Sequence, residues 1–171
     1  MNTFFKSVLS AAFLILITAG SLSAQKFGHI NSQQLLMESP KIKAADASLE
    51  TYQKQLITKG EGMVQKFEAS YQAYVNDANA KTLSPIEAQK REAALTEMQQ
   101  NIQKYEMEVQ EKLAIKRQEL YQPILNEATE AIEAIGKEGS YTMIFDTSTN
   151  SLLFAEDSDD LLVKVKTRLG W

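Results

Sequence analysis

The sequence predicts a mainly α-helical protein with a small β part: a long antiparallel helical hairpin on a small β-rich base. Three observations predict it. Apolar residues recur at helical spacing in two long stretches between Pro40 and Ile135, a helix-start signal lies between the stretches, and strand-like alternation occurs only outside them.

The first stretch carries an apolar stripe whose members are three or four residues apart, with Gly60 as the one gap. Its members are Ala45, Leu49, Tyr52, Leu56, Met63, Phe67, Tyr71, Tyr74 and Ala78. The spacing repeats every eleven residues, about 3.67 per apolar position, which imposes little left-handed supercoil. This disfavours a plain leucine zipper.

The second stretch carries a matching stripe: Leu95, Met98, Ile102, Tyr105, Val109, Leu113, Leu120, Ile124, Ala128, Ala131 and Ile135. Ser84, Pro85 and Glu87 supply an N-cap, a first-turn proline and a capping-box acid, so a new helix begins there after a tip at residues 80–84. Each arm should be about 60 Å long. A purely structural coiled coil is the competing interpretation of such a hairpin.

Residues 1–24 have the composition of a secretory signal peptide. Lys6 precedes an apolar run from Val8 to Ala19 and then small residues, and we expect cleavage after Ala24, with Ser23 as the alternative. The run is too short to span a bilayer, which needs about 20 residues. The chain has no cysteine, which excludes disulfides and a cysteine-linked lipid anchor.

Charge and residue inventory exclude several functions. Without the leader the chain has 17 basic and 22 acidic residues, a net charge of −5 that argues against nucleic acid as a partner. His29 is the single histidine and is expected to be structural, and no catalytic set or phosphate loop can be assembled. We therefore expect no enzymatic activity, no metal and no cofactor.

The base is predicted from residues 25–39 and 136–171. Lys26 to Asn31 should form a strand, Ser32 to Glu38 a helical turn, and Tyr141 to Phe145 a strand that makes a hairpin with Ser151 to Ala155. Ser158 should cap a last amphipathic helix, with Leu161, Leu162, Val165 and Leu169 on its apolar face. So few short elements should not bury an independent core, which predicts an oligomer.

Three residues predict irregularities in the arms. Gly60 and Gly62 mark either a flexible point or a close helix crossing, and Pro123 predicts a kink near the base.

In its order of parts the chain closely resembles the Skp (OmpH) family of periplasmic chaperones. The segments that carry the resemblance are KFGHINSQQLLMESP before the hairpin and GSYTMIFDTSTNSLLFAEDSDDLLVKVKTRL after it. The resemblance implies a homotrimer with a β-barrel-like body, from which three hairpins surround a cavity. It also implies that unfolded outer-membrane proteins are held there without ATP and without stable membrane insertion.

On that resemblance, residues of the predicted strands mediate oligomerisation: Phe27, Ile30, Tyr141, Met143, Ile144, Phe145, Leu152 and Phe154. Aromatic and methionine residues of the arms are candidate client contacts: Met63, Phe67, Tyr71, Tyr74, Met98, Tyr105 and Met107. Those within the stripes could instead join the two helices, and Met107 lies off the stripe.

The arms depart from the family in charge. The best-known family members are strongly basic, whereas residues 40–135 hold 12 basic and 15 acidic residues, so client capture should depend on apolar contacts. The alternative function is a non-catalytic coiled-coil adaptor of the cell envelope that binds one folded partner.

Overall fold

The computed structural model describes residues 25–149 and 152–171, so the predicted signal peptide lies outside the described residues. The elements in chain order are β1 Phe27–Ile30, α1 Ser32–Glu38, α2 Pro40–Asn79, α3 Pro85–Glu138, β2 Met143–Asp146 and α4 Leu162–Leu169. Short 3-10 turns occupy Thr147–Thr149 and Asp157–Asp159. The predicted fold class, long helices with a small β part, is confirmed.

The helical hairpin is formed by α2, with 40 residues, and α3, with 54 residues. The predicted caps are present: the Ser39 hydroxyl accepts from the Ile42 amide at 3.3 Å, and the Ser84 hydroxyl accepts from the Glu87 amide at 3.2 Å. In the tip, Lys81 has a φ of 54°. The α3 helix continues without interruption through Pro123.

The two apolar stripes meet between α2 and α3, and we call this contact the seam. Apart from Tyr71 and Ala78, every residue of both stripes is buried or half-buried, as the spacing predicts. Tyr105 is 6% exposed and its hydroxyl donates to the Leu56 carbonyl at 3.0 Å.

The two glycines of α2 differ in their surroundings. Gly60 lies opposite Tyr105, where a Cβ would be 3.4 Å from the ring, whereas a Cβ at Gly62 would meet nothing within 4 Å. Gly60 thus lies at a close helix contact, and α2 is a continuous helix through both glycines.

The base has an apolar core built from the segments before and after the hairpin and from the last turns of α3. Its buried members are Ile30, Leu35, Ala128, Ala131, Ile135, Leu161, Leu162 and Val165. Because Ala128, Ala131 and Ile135 belong to α3, the core of the base is continuous with the hairpin. Trp171 packs against the same cluster.

The sheet consists of β1 and β2 in parallel, with Phe27 opposite Met143 and Ile30 opposite Asp146. The predicted hairpin is therefore wrong: β2 pairs with β1, and residues 152–155 belong to no strand. Alternation identifies residues that suit a strand but does not select the neighbour. The other edge of β1 is used as well, since the Leu161 amide donates to the His29 carbonyl at 2.9 Å.

Asp146, the last residue of β2, forms hydrogen bonds with the start of α1 and with the turn that follows β2. Its carboxylate accepts from the Ser32 amide at 3.1 Å, the Ser32 hydroxyl at 2.5 Å and the Ser148 amide at 3.0 Å. Burial works against its ionisation, but these hydrogen bonds prevail and lower its pKa below the ordinary value. The strand end and the start of α1 are thereby held together.

The final helix begins later than predicted. Ser158 lies in the 3-10 turn and does not cap α4; the Asp160 carboxylate accepts from the Leu162 amide at 2.8 Å instead. The predicted apolar face is correct, because Leu161, Leu162 and Val165 are buried. None of the helices among residues 25–149 and 152–171 combines the length and apolar character needed to cross a membrane.

Candidate interaction surfaces

One face of the sheet points away from the core and is apolar. Successive residues of a strand face opposite sides; Gly28, Ile30 and Ile144 point inward, while Phe27, Met143 and Phe145 are exposed. The rings of Phe27 and Phe145 lie 6.2 Å apart, centroid to centroid. Three large apolar side chains thus form one outward patch.

The segment after β2 also exposes apolar side chains. Leu153 is 99% exposed and Phe154 is 79% exposed, while Leu152 is half-buried. Within the described ranges, β2 pairs only with β1, so its second edge offers free backbone groups. We define the apolar face of the base as Phe27, Met143, Phe145, Leu153 and Phe154.

Three of the residues predicted for oligomerisation lie elsewhere. Ile30 is 2% exposed and belongs to the chain's own core, so its side chain is not on the surface. Ile144 and Tyr141 pack against that core. Ile30 and Ile144 lie in strands, as the sequence pattern predicts, but on the inward face, and Tyr141 lies two residues before β2 begins.

The predicted client contacts divide in the same way. Tyr105 is buried in the seam, and Met63, Phe67, Tyr74 and Met98 are half-buried. Tyr71 is 51% exposed, with its ring stacked near Phe67 at a centroid distance of 6.2 Å, and Met107 is 70% exposed. Only Tyr71 and Met107 of this set present most of their side chain to solvent.

Sequence analysis missed a second apolar row on α2. Ile57, Val64 and Tyr71 are all exposed and are spaced by seven residues, so they lie nearly on one line along the helix, about 10 Å apart. Ile57 follows Leu56 of the seam and lies about 100° around the helix from it, and the row approaches the seam to about 60° at Tyr71. We call these three residues the outer row; their seven-residue spacing was the available signal.

Polar contacts also join the two helices along the hairpin. Near the base, Lys41 pairs with Glu127 at 2.6 Å and the Tyr121 hydroxyl donates to Asp46. Nearer the tip, the Tyr74 hydroxyl donates to Glu92 and Arg91 pairs with Asp77.

Two of these contacts raise the pKa of a tyrosine hydroxyl. The hydrogen bond to Glu92 raises the pKa of Tyr74, and the bond to Asp46 raises that of Tyr121, because each carboxylate favours the protonated phenol. Both tyrosines therefore remain neutral donors at neutral pH.

His29 has a structural contact, since its Nε2 lies 3.1 Å from the Glu156 carbonyl oxygen. Among the residues that the structure describes, no group of three or more histidine or acidic side chains is arranged to hold a metal ion.

The fold and these surfaces define a class: a helical-hairpin protein with a small mixed base, whose exposed apolar residues lie on the base and along the arm. A model of the family described as outer membrane protein (OmpH-like) matches residues 26–169. The chain belongs to this OmpH-like family. No curated protein matches it significantly.

A solved structure with the same fold comes from Caulobacter crescentus CB15. It was described as a candidate outer membrane chaperone (OmpH-like) and matches with a TM-score of 0.73 at 17% identity, over 87% of this chain and 86% of that one. At this identity the match establishes the fold alone, which agrees with the fold class predicted from the sequence.

Proposed function

We propose that this protein is a periplasmic chaperone that holds unfolded outer-membrane proteins without ATP. Membership of the OmpH-like family supports a chaperone of the cell envelope. The observation that carries the finer proposal is the outer row, a line of exposed apolar residues on an arm whose seam is already filled.

The outer row suits weak and reversible binding. A holdase must keep its client unfolded and still release it, so each contact should be small. Ile57, Val64 and Tyr71 are each separated by about two turns of helix, so each offers a small separate contact. Several such arms around one client raise the effective concentration of contact sites without making any one contact strong.

Assembly is proposed to occur through the apolar face of the base. A two-stranded sheet with an open edge is marginal in water, and exposed apolar patches on small domains commonly mark protein interfaces. Neighbouring copies that cover Phe27, Met143 and Phe145 would form the β-barrel-like body of a trimer. The arms would then extend around a shared cavity, and no catalytic step is proposed.

The client contacts can be tested with a triple variant, Ile57→Gln, Val64→Gln and Tyr71→Gln. Glutamine is a good helix former, so α2 should remain intact. Ile57 and Val64 lie outside the seam, and Tyr71 is next to it through its stacking near Phe67. We expect the variant to lose most of its ability to suppress aggregation of urea-diluted barrel proteins, measured by light scattering at a near-equimolar trimer to client ratio.

The matched control changes three exposed glutamines of α2, Gln53, Gln65 and Gln72, to alanine. Equal suppression by the outer-row triple variant and the wild type would contradict the proposed contacts. If the wild type protects no unfolded client and instead binds one folded envelope component, the alternative function, a coiled-coil adaptor of the cell envelope, would be favoured.

The assembly proposal can be tested by the mass in solution. Phe154→Asp should shift the wild-type oligomer toward the monomer in analytical ultracentrifugation, because it introduces a charge on the apolar face of the base. Val163→Asp is the control, since Val163 is comparably exposed but lies on α4. A compact wild-type monomer at micromolar concentration would refute assembly.

A further inference from the structure

A recess in the base gathers positive charge. It lies between the end of α3, the residue before β1 and the outer side of α4, and has a volume of about 490 Å³. Its polar lining consists of three cations, two hydroxyl groups and one carboxylate: Lys26, Lys164, Arg168, Tyr141, Thr167 and Glu138. The volume falls in the range of about 300–1,000 Å³ that is usual for small-molecule sites.

The charges in this recess do not balance. Glu138 is paired with Arg168, whose Nη1 lies 2.9 Å and 2.8 Å from its two carboxylate oxygens. Among the residues that the structure describes, neither Lys26 nor Lys164 forms an ion pair. Two uncompensated positive charges thus share one recess on a chain that is acidic overall.

The positive groups are also held in place. The Lys26 ammonium donates to the Gly139 carbonyl at 3.0 Å and lies 4.0 Å from the centroid of the Tyr141 ring. That ring is closely packed, because a Cβ at Gly28 would be 3.0 Å from it and one at Gly139 would overlap it. An ammonium has three N–H donors, so Lys26 retains donors for a ligand.

The carbonyl groups at the end of α3 explain only some of the positive side chains in the recess. Cations near a helix C-terminus are stabilised by the carbonyl groups there, which explains the positions of Lys26 and Arg168. It does not explain Lys164, whose Nζ is 3.5 Å from the Tyr141 hydroxyl and which adds charge to the same space.

We propose that this recess binds a phosphate group, with Lys26 and Lys164 as its principal ligands and the Tyr141 hydroxyl as a further donor. A phosphate offers several acceptor oxygens to donors that converge from different directions, and it neutralises both free charges. The phosphate is either free in solution or part of an anionic lipid headgroup. This site is separate from the outer row and does not depend on the proposed chaperone function.

The test uses the chain from residue 25 onward and two probes. Inorganic phosphate is titrated by calorimetry at about 0.01 M salt, where charge interactions are weakly screened. Vesicles of phosphatidylglycerol, with phosphatidylcholine vesicles for comparison, are tested by co-flotation. Binding of inorganic phosphate identifies a free-phosphate site, and binding only of phosphatidylglycerol identifies a headgroup site.

The decisive variant is Lys164→Gln, which removes no backbone contact, followed by the double variant Lys26→Gln and Lys164→Gln. We expect Lys164→Gln to weaken binding of the active probe about tenfold and the double variant to abolish it. The matched control is Lys66→Gln with Lys90→Gln, which changes the net charge equally at exposed positions on the arms.

Two results would overturn the proposal. One is that wild-type protein binds neither inorganic phosphate nor phosphatidylglycerol vesicles. The other is that the control pair weakens binding as much as the recess pair, which would mean that net charge alone is responsible. Thermal unfolding of each variant, followed by circular dichroism, verifies that the helices remain folded.

Discussion

Tyr105 should be the aromatic residue that contributes most to holding the hairpin together. Its ring is buried opposite Gly60, and its hydroxyl donates to the Leu56 carbonyl at 3.0 Å. Replacement of a buried aromatic residue by alanine costs about 3–5 kcal/mol. We therefore expect Tyr105→Ala to lower the free energy of unfolding by about 3–4 kcal/mol.

The hydroxyl alone should contribute much less. The Leu56 carbonyl also has the ordinary helical amide partner four residues on, so Tyr105→Phe leaves no buried group unpaired. The expected loss is about 0.5–1 kcal/mol. Tyr121→Phe, which removes an exposed hydrogen bond to Asp46, should cause no measurable loss, because water replaces the phenol at that carboxylate.

The assay is equilibrium unfolding in urea, followed by circular dichroism at one fixed protein concentration, since assembly adds to apparent stability. Tyr71→Ala is the matched control, because this tyrosine is half exposed and should cost less than about 1 kcal/mol. If Tyr105→Ala cost no more than Tyr71→Ala, the assignment of Tyr105 as the central contact of the seam would be refuted.

Three further predictions concern the backbone and the base. Gly62→Ala should raise the free energy of unfolding by up to about 1 kcal/mol without changing aggregation suppression, because its Cβ meets open space; reduced suppression would instead indicate a required flexible point. Gly139→Ala should lower the melting temperature and destabilise by about 1–3 kcal/mol, because the new Cβ would overlap the Tyr141 ring; an unchanged melting temperature would contradict that packing. Asp146→Asn should cost about 1 kcal/mol at pH 7. Because the folded-state pKa of Asp146 is lowered, its contribution is complete above the unfolded pKa of about 3.9 and is lost as the pH falls through the folded value. Urea unfolding between neutral and acidic pH should therefore converge for wild type and Asp146→Asn, and a constant difference would disprove the role of the carboxylate.

The hairpin was predictable because its signals are local. Periodic apolar residues, Ser39 with Pro40 and Ser84 with Pro85 determine where helices begin and which side is buried, and these are properties of near neighbours in sequence. The start of α4 was missed because the side chains of Ser158 and Asp160 can both accept from a helix-start amide, and only the pairing of Asp160 with His29 of β1 decides between them.

The strand partner was not predictable in the same way. Residues 152–155 have the composition of a strand, but β2 pairs with β1, more than a hundred residues away in sequence. For the same reason the inward position of Ile30 and the outward position of Phe27 could not be distinguished from each other. Pairing depends on distant groups such as the contact between Asp146 and Ser32.

The sequence by itself determined the two long helices, the tip between them and the apolar seam, because helix formation and amphipathic spacing depend on residues within a few turns. The tertiary structure alone decided which apolar residues of the base remain outside, namely those of its apolar face. It also brought Lys26, Tyr141 and Lys164 to one recess. Those outcomes depend on packing between segments far apart in the chain, which residue spacing does not encode.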